Sequence, residues 1–189
     1  MKKIYVFLAD GFEEIEGLTV VDLLRRARLD VVTVSIKEEK RIMGSHKIPV
    51  EADVLFSQTD CSQGDMLVLP GGAVGTDNLE ACQPLLELIR SYADQGRKVA
   101  AICAAPRILA HAGLLNGRKA TCYPSVMGEL ADAKRTEDAV AVDGCFTTSR
   151  GLGTAISFSL ELIAQLLGKE KAGEIAESIV YTDPAGIYS

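Results

Sequence analysis

Lys98-Val99-Ala100-Ala101-Ile102-Cys103-Ala104-Ala105-Pro106 is the stretch on which the fold turns. A short continuous apolar run predicts a buried strand over Lys98–Ile102, and Pro106, with its fixed φ and missing N–H, suits the first turn of a following helix. The small residues Ala104 and Ala105 allow a sharp strand-to-helix turn with the Cys103 side chain exposed at its apex, which is the geometry of a nucleophile elbow. At a helix N-terminus a thiolate faces unpaired N–H groups and the positive end of the dipole, so the expectation is a lowered thiol pKa. The competing reading is a buried cysteine that ends a strand, and position alone does not separate the two.

Outward from this stretch the same alternation recurs. Ile4–Ala9 is an apolar run, and after Gly11 the spacing turns helical through Leu18, Val21 and Leu24. Val31–Ile36 is a β-branched run, while Ile48–Phe56, with Pro49, suggests a hairpin or edge excursion. Met66–Leu69 predicts a buried strand ended by Pro70-Gly71-Gly72, Ala73–Leu79 a loop, and Leu85, Ile89 and Tyr92 a helix. Further on come a strand at Ala120–Tyr123, a short helix near Ser125 and a hairpin around Asp143-Gly144 ending in Phe146–Ser149. Thr154 is placed to cap a helix striped by Ile156, Leu160, Ile163 and Leu167, and a final helix over Lys169–Ser178 leads into a short tail. With no repeat or linker, residues 1–189 read as one domain. Its class is α/β, a doubly wound, mostly parallel sheet with helices on both faces. Ligand sites in such sheets lie at the carboxyl ends of strands, which selects Asp10–Glu16, Pro70–Gly75 and Cys103–Pro106.

Composition narrows the partners. The 189 residues are 48% hydrophobic and carry a formal net charge of −6. Without basic runs, neither nucleic acid nor an anionic membrane is expected as a partner. The apolar start is cut by Asp10, Glu13 and Glu14, and Val99–Leu115 is cut by Pro106, Arg107 and His111, so neither an export signal nor a bilayer span is expected. Five cysteines, at 61, 82, 103, 122 and 145, lack CxxC spacing, and His46 and His111 are the only histidines. Disulfides and a metal centre are therefore not expected, and a reducing, cytoplasmic setting is.

Two further segments bear on the chemistry. Gly71 and Gly72 let the backbone approach a ligand and aim N–H groups at an oxyanion, although an ordinary turn has the same sequence. Glu16 shares a helix face with Val20, Leu23 and Ala27, where burial would keep its carboxyl protonated and able to donate to a thiolate. The bland alternative is an acidic first turn, Glu13, Glu14 and Glu16, that complements the helix dipole; the pattern does not choose among the three.

The ordered set Ala9-Asp10-Gly11-Phe12-Glu13-Glu14-Ile15-Glu16, Leu69-Pro70-Gly71-Gly72, Ala101-Ile102-Cys103-Ala104 and Thr148-Ser149-Arg150-Gly151-Leu152-Gly153-Thr154 resembles the DJ-one branch of the ThiJ/PfpI superfamily. The resemblance implies a flavodoxin-like fold and a homodimer packed through the first helix. It implies Cys103 as nucleophile, Glu16 as its protonated partner and the N–H groups of Gly72 and Ala104 as the oxyanion site, with Gly71, Tyr123, His46 and Arg150 added as substrate-binding candidates. It also implies a cofactor-independent glyoxalase or deglycase acting on methylglyoxal or its early protein adducts, with a role in oxidative stress, or alternatively a redox sensor or chaperone. Tyr123 stands where several relatives place histidine, and His46 where relatives often carry arginine. A Cys-His peptidase dyad is not expected, since Ala104 follows the cysteine. A class I glutaminase is not expected either, since no histidine occurs after His111.

Overall fold

The computed structural model describes residues 1–182. The main sheet begins with β1 (Lys3–Leu8), followed by α1 (Glu14–Arg26) and β2 (Asp30–Ser35). An excursion follows: β3 (Arg41–Met43) and β4 (Pro49–Glu51) form an antiparallel hairpin, and β5 (Val54–Leu55) returns to the sheet edge beside β2. Then come β6 (Met66–Leu69), α2 (Ala73–Ala81), α3 (Gln83–Asp94), β7 (Lys98–Ile102) and α4 (Pro106–His111). A small parallel pair, β8 (Lys119–Ala120) and β9 (Lys134–Arg135), flanks a 3-10 turn over Pro124–Leu130. The chain then makes the hairpin β10 (Val140–Asp143) and β11 (Phe146–Ser149), and the helices α5 (Ala155–Leu167) and α6 (Lys169–Ser178).

The strands order as β10-β11-β7-β6-β1-β2-β5, all parallel except β10 at one edge. The chain winds outward from β1 through β2 and β5, then returns to β6 on the other side of β1. That reversal is the switch point at which doubly wound sheets bind ligands. Side chains in β1 alternate between two cores, as a period of two requires. Ile4, Val6 and Leu8 meet α1 and α5 residues such as Leu24, Phe158 and Leu162, whereas Tyr5 and Phe7 meet Leu85, Ile89 and Tyr92 of α3. Each fully buried large side chain contributes roughly 2 kcal/mol. The fold is therefore the expected doubly wound α/β sheet with a helical layer on each face.

Four local expectations need correction. Ala73–Leu79 is helical, within α2. Gly75 misled because it serves close approach, a Cβ there meeting Phe12 Cα at 2.6 Å, and Asn78 because its amide donates to the Asp10 carbonyl at 2.8 Å. The strand expected at Ala120–Tyr123 stops at Ala120 and lies outside the main sheet, because the next residues are drawn off toward the elbow, with Tyr123 N–H donating to the Cys103 carbonyl at 2.8 Å. On α5, Leu160 and Ile163 are buried but Ile156 and Leu167 are exposed; Phe158 and Leu162 complete the inner face instead. Thr154 holds the cap position, but its hydroxyl bonds Gly151 and Ser149 rather than a helical N–H. The expected tail lies beyond α6, mostly in residues 183–189, outside the described residues. Among the described residues no helix is long and apolar enough to cross a membrane.

Candidate active site

Cys103 directly follows β7 with φ +65°, a conformation that costs a non-glycine residue free energy and is held only where the surroundings fix it. Here both backbone groups are fixed: its N–H donates to the Ser149 carbonyl at 3.0 Å and its carbonyl accepts from Tyr123. The elbow thus hangs between β11 and the start of the 124–130 turn. The sulfur is half-buried rather than exposed.

The β6 strand delivers Pro70-Gly71-Gly72 alongside. A Cβ on Gly71 would stand 2.5 Å from Cys103 Cβ and 2.6 Å from Glu16 Oε2, so only glycine passes between the two functional side chains. Gly72 has φ +91°, and a Cβ there would strike the Gly11 carbonyl oxygen at 2.3 Å. These two positions are where glycine's freedom is needed. Gly71 N–H donates to Glu16 Oε2 at 3.0 Å, so it serves the carboxylate, while the N–H groups of Gly72 and Ala104 favour the Cys103 thiolate.

Glu16 is 1% exposed, beside Val20, Leu23 and Ala27, all buried. Burial pushes its carboxyl up to about 7, against hydrogen bonds from Cys103 and the N–H groups of Gly71 and Leu152 that favour the anion. Burial and the facing Glu16 carboxylate likewise push the Cys103 thiol up to about 12, outweighing the N–H groups of Gly72 and Ala104. The lowered thiol pKa expected from a helix N-terminus is therefore overturned. Helix α4 has only six residues and begins at Pro106, three positions past the sulfur, so its dipole is short and displaced. Two acids in contact share their charge: the pair gives up one proton near 7 and the second only near 12.

The remaining candidates are distributed around this pair. Tyr123, half exposed, lies over Gly151, where a Cβ would meet its Cδ2 at 3.3 Å and Glu16 Oε1 at 3.7 Å, so the ring and the carboxyl flank the same glycine. His46 is held by Glu14: its N–H donates to Oε1 at 2.8 Å and its Nδ1 lies 3.1 Å from Oε2. The Arg150 guanidinium donates to the Glu137 carbonyl at 3.0 Å. Among the described residues, neither His46 nor Arg150 makes a hydrogen bond or ion pair with Cys103 or Glu16. Sequence reasoning missed the Leu152 N–H, whose only signal is its place in the turn after Arg150, and the buried Glu14, which nothing in the pattern set apart from Glu13.

The chain is similar in sequence and in overall fold to known proteins. The model of the DJ-1/PfpI family matches residues 2–165, and the chain belongs to that family. It is 41% identical over 181 residues to protein DJ-1 homolog B of Arabidopsis thaliana, covering 95% of this chain but 41% of that protein. The chain thus spans less than half the length of that relative. A deglycase of Pyrococcus abyssi is 30% identical over 166 residues, covering 87% of this chain and 99% of its own. The structure of oxidized DJ-1 from Toxoplasma gondii superposes with a TM-score of 0.93 at 35% identity, covering 97% of this chain and 100% of that one.

Proposed function

We propose that this protein is a cysteine-dependent, cofactor-independent glyoxalase or deglycase that acts on methylglyoxal or its early protein adducts. The observation that carries the reading is the Cys103–Glu16 pair, a strained nucleophile in contact with a buried carboxyl that keeps a proton near neutrality. After the pair loses its first proton, the reactive form has the charge on sulfur and the proton on Glu16. The thiolate attacks the aldehyde carbon, and the N–H groups of Gly72 and Ala104, which favour negative charge at this elbow, steady the oxyanion of the hemithioacetal. Glu16 gives its proton to that oxyanion, and the carboxylate so formed takes the aldehydic proton and returns it to the neighbouring carbon, which converts the hemithioacetal to a thioester of a hydroxy acid with no outside oxidant. Water cleaves the thioester, releasing lactate and the thiol.

The name of the Pyrococcus relative, a deglycase, supports the choice of chemistry. Lactate release from methylglyoxal, followed enzymatically, should fall to background in Cys103→Ala. Undiminished turnover in that variant removes the reading.

A second reading, a redox sensor, is favoured by the oxidized state of the Toxoplasma relative. Low doses of peroxide should then oxidise Cys103 ahead of the other four cysteines, as read by mass spectrometry, while methylglyoxal gives no lactate. The apolar Ile15 and Leu18 stay exposed on α1 while Val20 and Leu23 are buried, and we assign that outer face to a homodimer contact. Sedimentation showing only monomer at micromolar concentration removes this assignment.

A further inference from the structure

Arg107 takes no part in the chemistry above, yet it is among the most enclosed cations of the chain, with its side chain 14% exposed. It sits on the first turn of α4, four residues past Cys103. Its guanidinium pairs with Asp77 of α2, and its Nε lies 3.3 Å from Glu80 of the same helix and 3.9 Å from Glu129 of the 124–130 turn. Nε is buried without a hydrogen bond of ordinary geometry, so charge alone holds it. One turn further along α4, His111 meets the same two glutamates, with Nδ1 2.5 Å from Glu80 and Nε2 3.7 Å from Glu129. Positions i and i+4 share a helix face, so α4 presents one two-pronged grip to both neighbours.

The three segments gripped each supply part of the sulfur's surroundings, beside Glu16 of α1 and Ser149 of β11. Helix α2 begins directly after Gly72, α4 follows Ala104, and the 124–130 turn follows Tyr123, whose N–H holds the Cys103 carbonyl. Each carries its contribution at its N-terminal end and is tied to the others a turn or two further on. A lysine could supply the charge, but only a guanidinium can face several carboxylates at once in a fixed fork.

We propose that Arg107, seconded by His111, is a positioning residue: by clamping α2 and the 124–130 turn to α4, it keeps the Gly72 and Ala104 N–H groups and the Tyr123 backbone in register around Cys103. The proposal rests on the reading of Cys103 as the nucleophile.

Iodoacetamide alkylation of Cys103, followed by mass spectrometry across pH 5 to 10, tests it on the intact protein. In Arg107→Met the rate at pH 5 to 6 should fall about threefold, as the midpoint rises by about half a unit. Arg107→Lys should recover part of that loss, and Glu129→Gln, which frees only the turn, should give a smaller shift of the same sign. Lys171→Met, which removes a surface pair on α6, should alkylate as the parent does. A merely structural arginine would lower the melting temperature and leave the pH profile in place, and that result overturns the proposal. If Arg107→Met does not fold, Arg107→Lys and Glu129→Gln decide by the same criterion: unmoved profiles in both refute the clamp. A shifted profile in a protein that makes no lactate from methylglyoxal sustains the clamp and defeats the enzymatic reading, so the two failures are distinguishable.

Discussion

Glu14 and Glu16 stand two residues apart at the start of α1, 2% and 1% exposed, and their carboxyls titrate in opposite directions. Burial raises both. At Glu14 it is outweighed by the residue's own N–H, by the N–H and ring of His46 and by the Ser45 hydroxyl, and the carboxyl is held down at about 2. At Glu16 burial prevails, because the donors are Cys103 and two N–H groups while Glu13 adds like charge, and the carboxyl rises to about 7. The difference teaches that depth does not decide the charge of a buried acid; the number of donors folded around it does. The excursion carrying Gly44–Ile48 wraps Glu14 as an anion. The elbow, by contrast, leaves Glu16 a proton to give.

The strongest way to break this comparison is to remove the anion that the excursion wraps. Glu14→Ala leaves the N–H groups of His46 and Ile48 without their acceptor and empties the hollow above Gly44, where Glu14 now fills the space a Cβ would take. The expected cost is about 3 kcal/mol in chemical denaturation, with the Cys103 alkylation profile unchanged. A loss below about 1 kcal/mol would mean that the loop does not depend on this carboxylate. The sign with pH follows from a depressed folded-state pKa: the stabilisation is present above about 4.5 and is lost as pH falls toward about 2.

Glu16 has the reverse sign. Its folded-state pKa of about 7 lies above the ordinary 4.5, so the folded state holds a proton that the unfolded chain gives up, and stability falls as pH rises from about 4.5 through 7. Glu16→Gln fits the same space without the charge. At pH 8 it should be more stable than the parent by about 2 kcal/mol, a figure reduced for the proton shared with Cys103, and at pH 4 it should differ little. Equal stability at both pH values would show that Glu16 is not held protonated by its surroundings. The same substitution should depress lactate formation, which would place Glu16 among residues that weaken the fold in favour of the site.

How far the sequence could be read follows from the same pair. The strands Met66–Leu69 and Lys98–Ile102 and the helix Lys169–Ser178 match their expected limits, because a buried parallel strand is apolar throughout and a flanking helix is striped. Cys103, Gly71 and Gly72 converge because a doubly wound sheet brings the ends of β6 and β7 to one edge, and that much was legible; Glu16 came only from the family resemblance, since the pattern did not choose among Glu13, Glu14 and Glu16. The helix α2 was not, since Gly75 and Asn78 serve contacts with Phe12 and Asp10 that exist only once β1 lies beside β6. Nor was the anchoring of Glu14, which depends on a loop some thirty residues away in the chain. The direction of the Cys103 shift escaped for the same reason. It depends on burial and on a facing carboxyl, which local sequence does not specify.

The finest test concerns where the proton sits once the pair has lost the first of its two. If it stays on Glu16, thiolate absorbance in the parent protein rises with the step near 7; if it stays on sulfur, absorbance waits for the step near 12. The proposed chemistry requires the first. Glu16→Gln keeps a donor but cannot take the charge, so every thiolate formed in it reports Cys103 alone, supported by the N–H groups of Gly72 and Ala104. Glu16→Leu keeps the bulk and loses the donor as well. Its thiol should therefore titrate roughly one unit higher than in Glu16→Gln, the scale of a single hydrogen bond to a charged group. Ultraviolet titration of the three proteins from pH 5 to 10 reads both effects at once. Should Leu and Gln titrate together, no donation from position 16 reaches the sulfur. Should the parent show no thiolate below pH 9, the neutral-pH anion is the carboxylate, and Glu16 would act on the reaction as a base rather than as a donor.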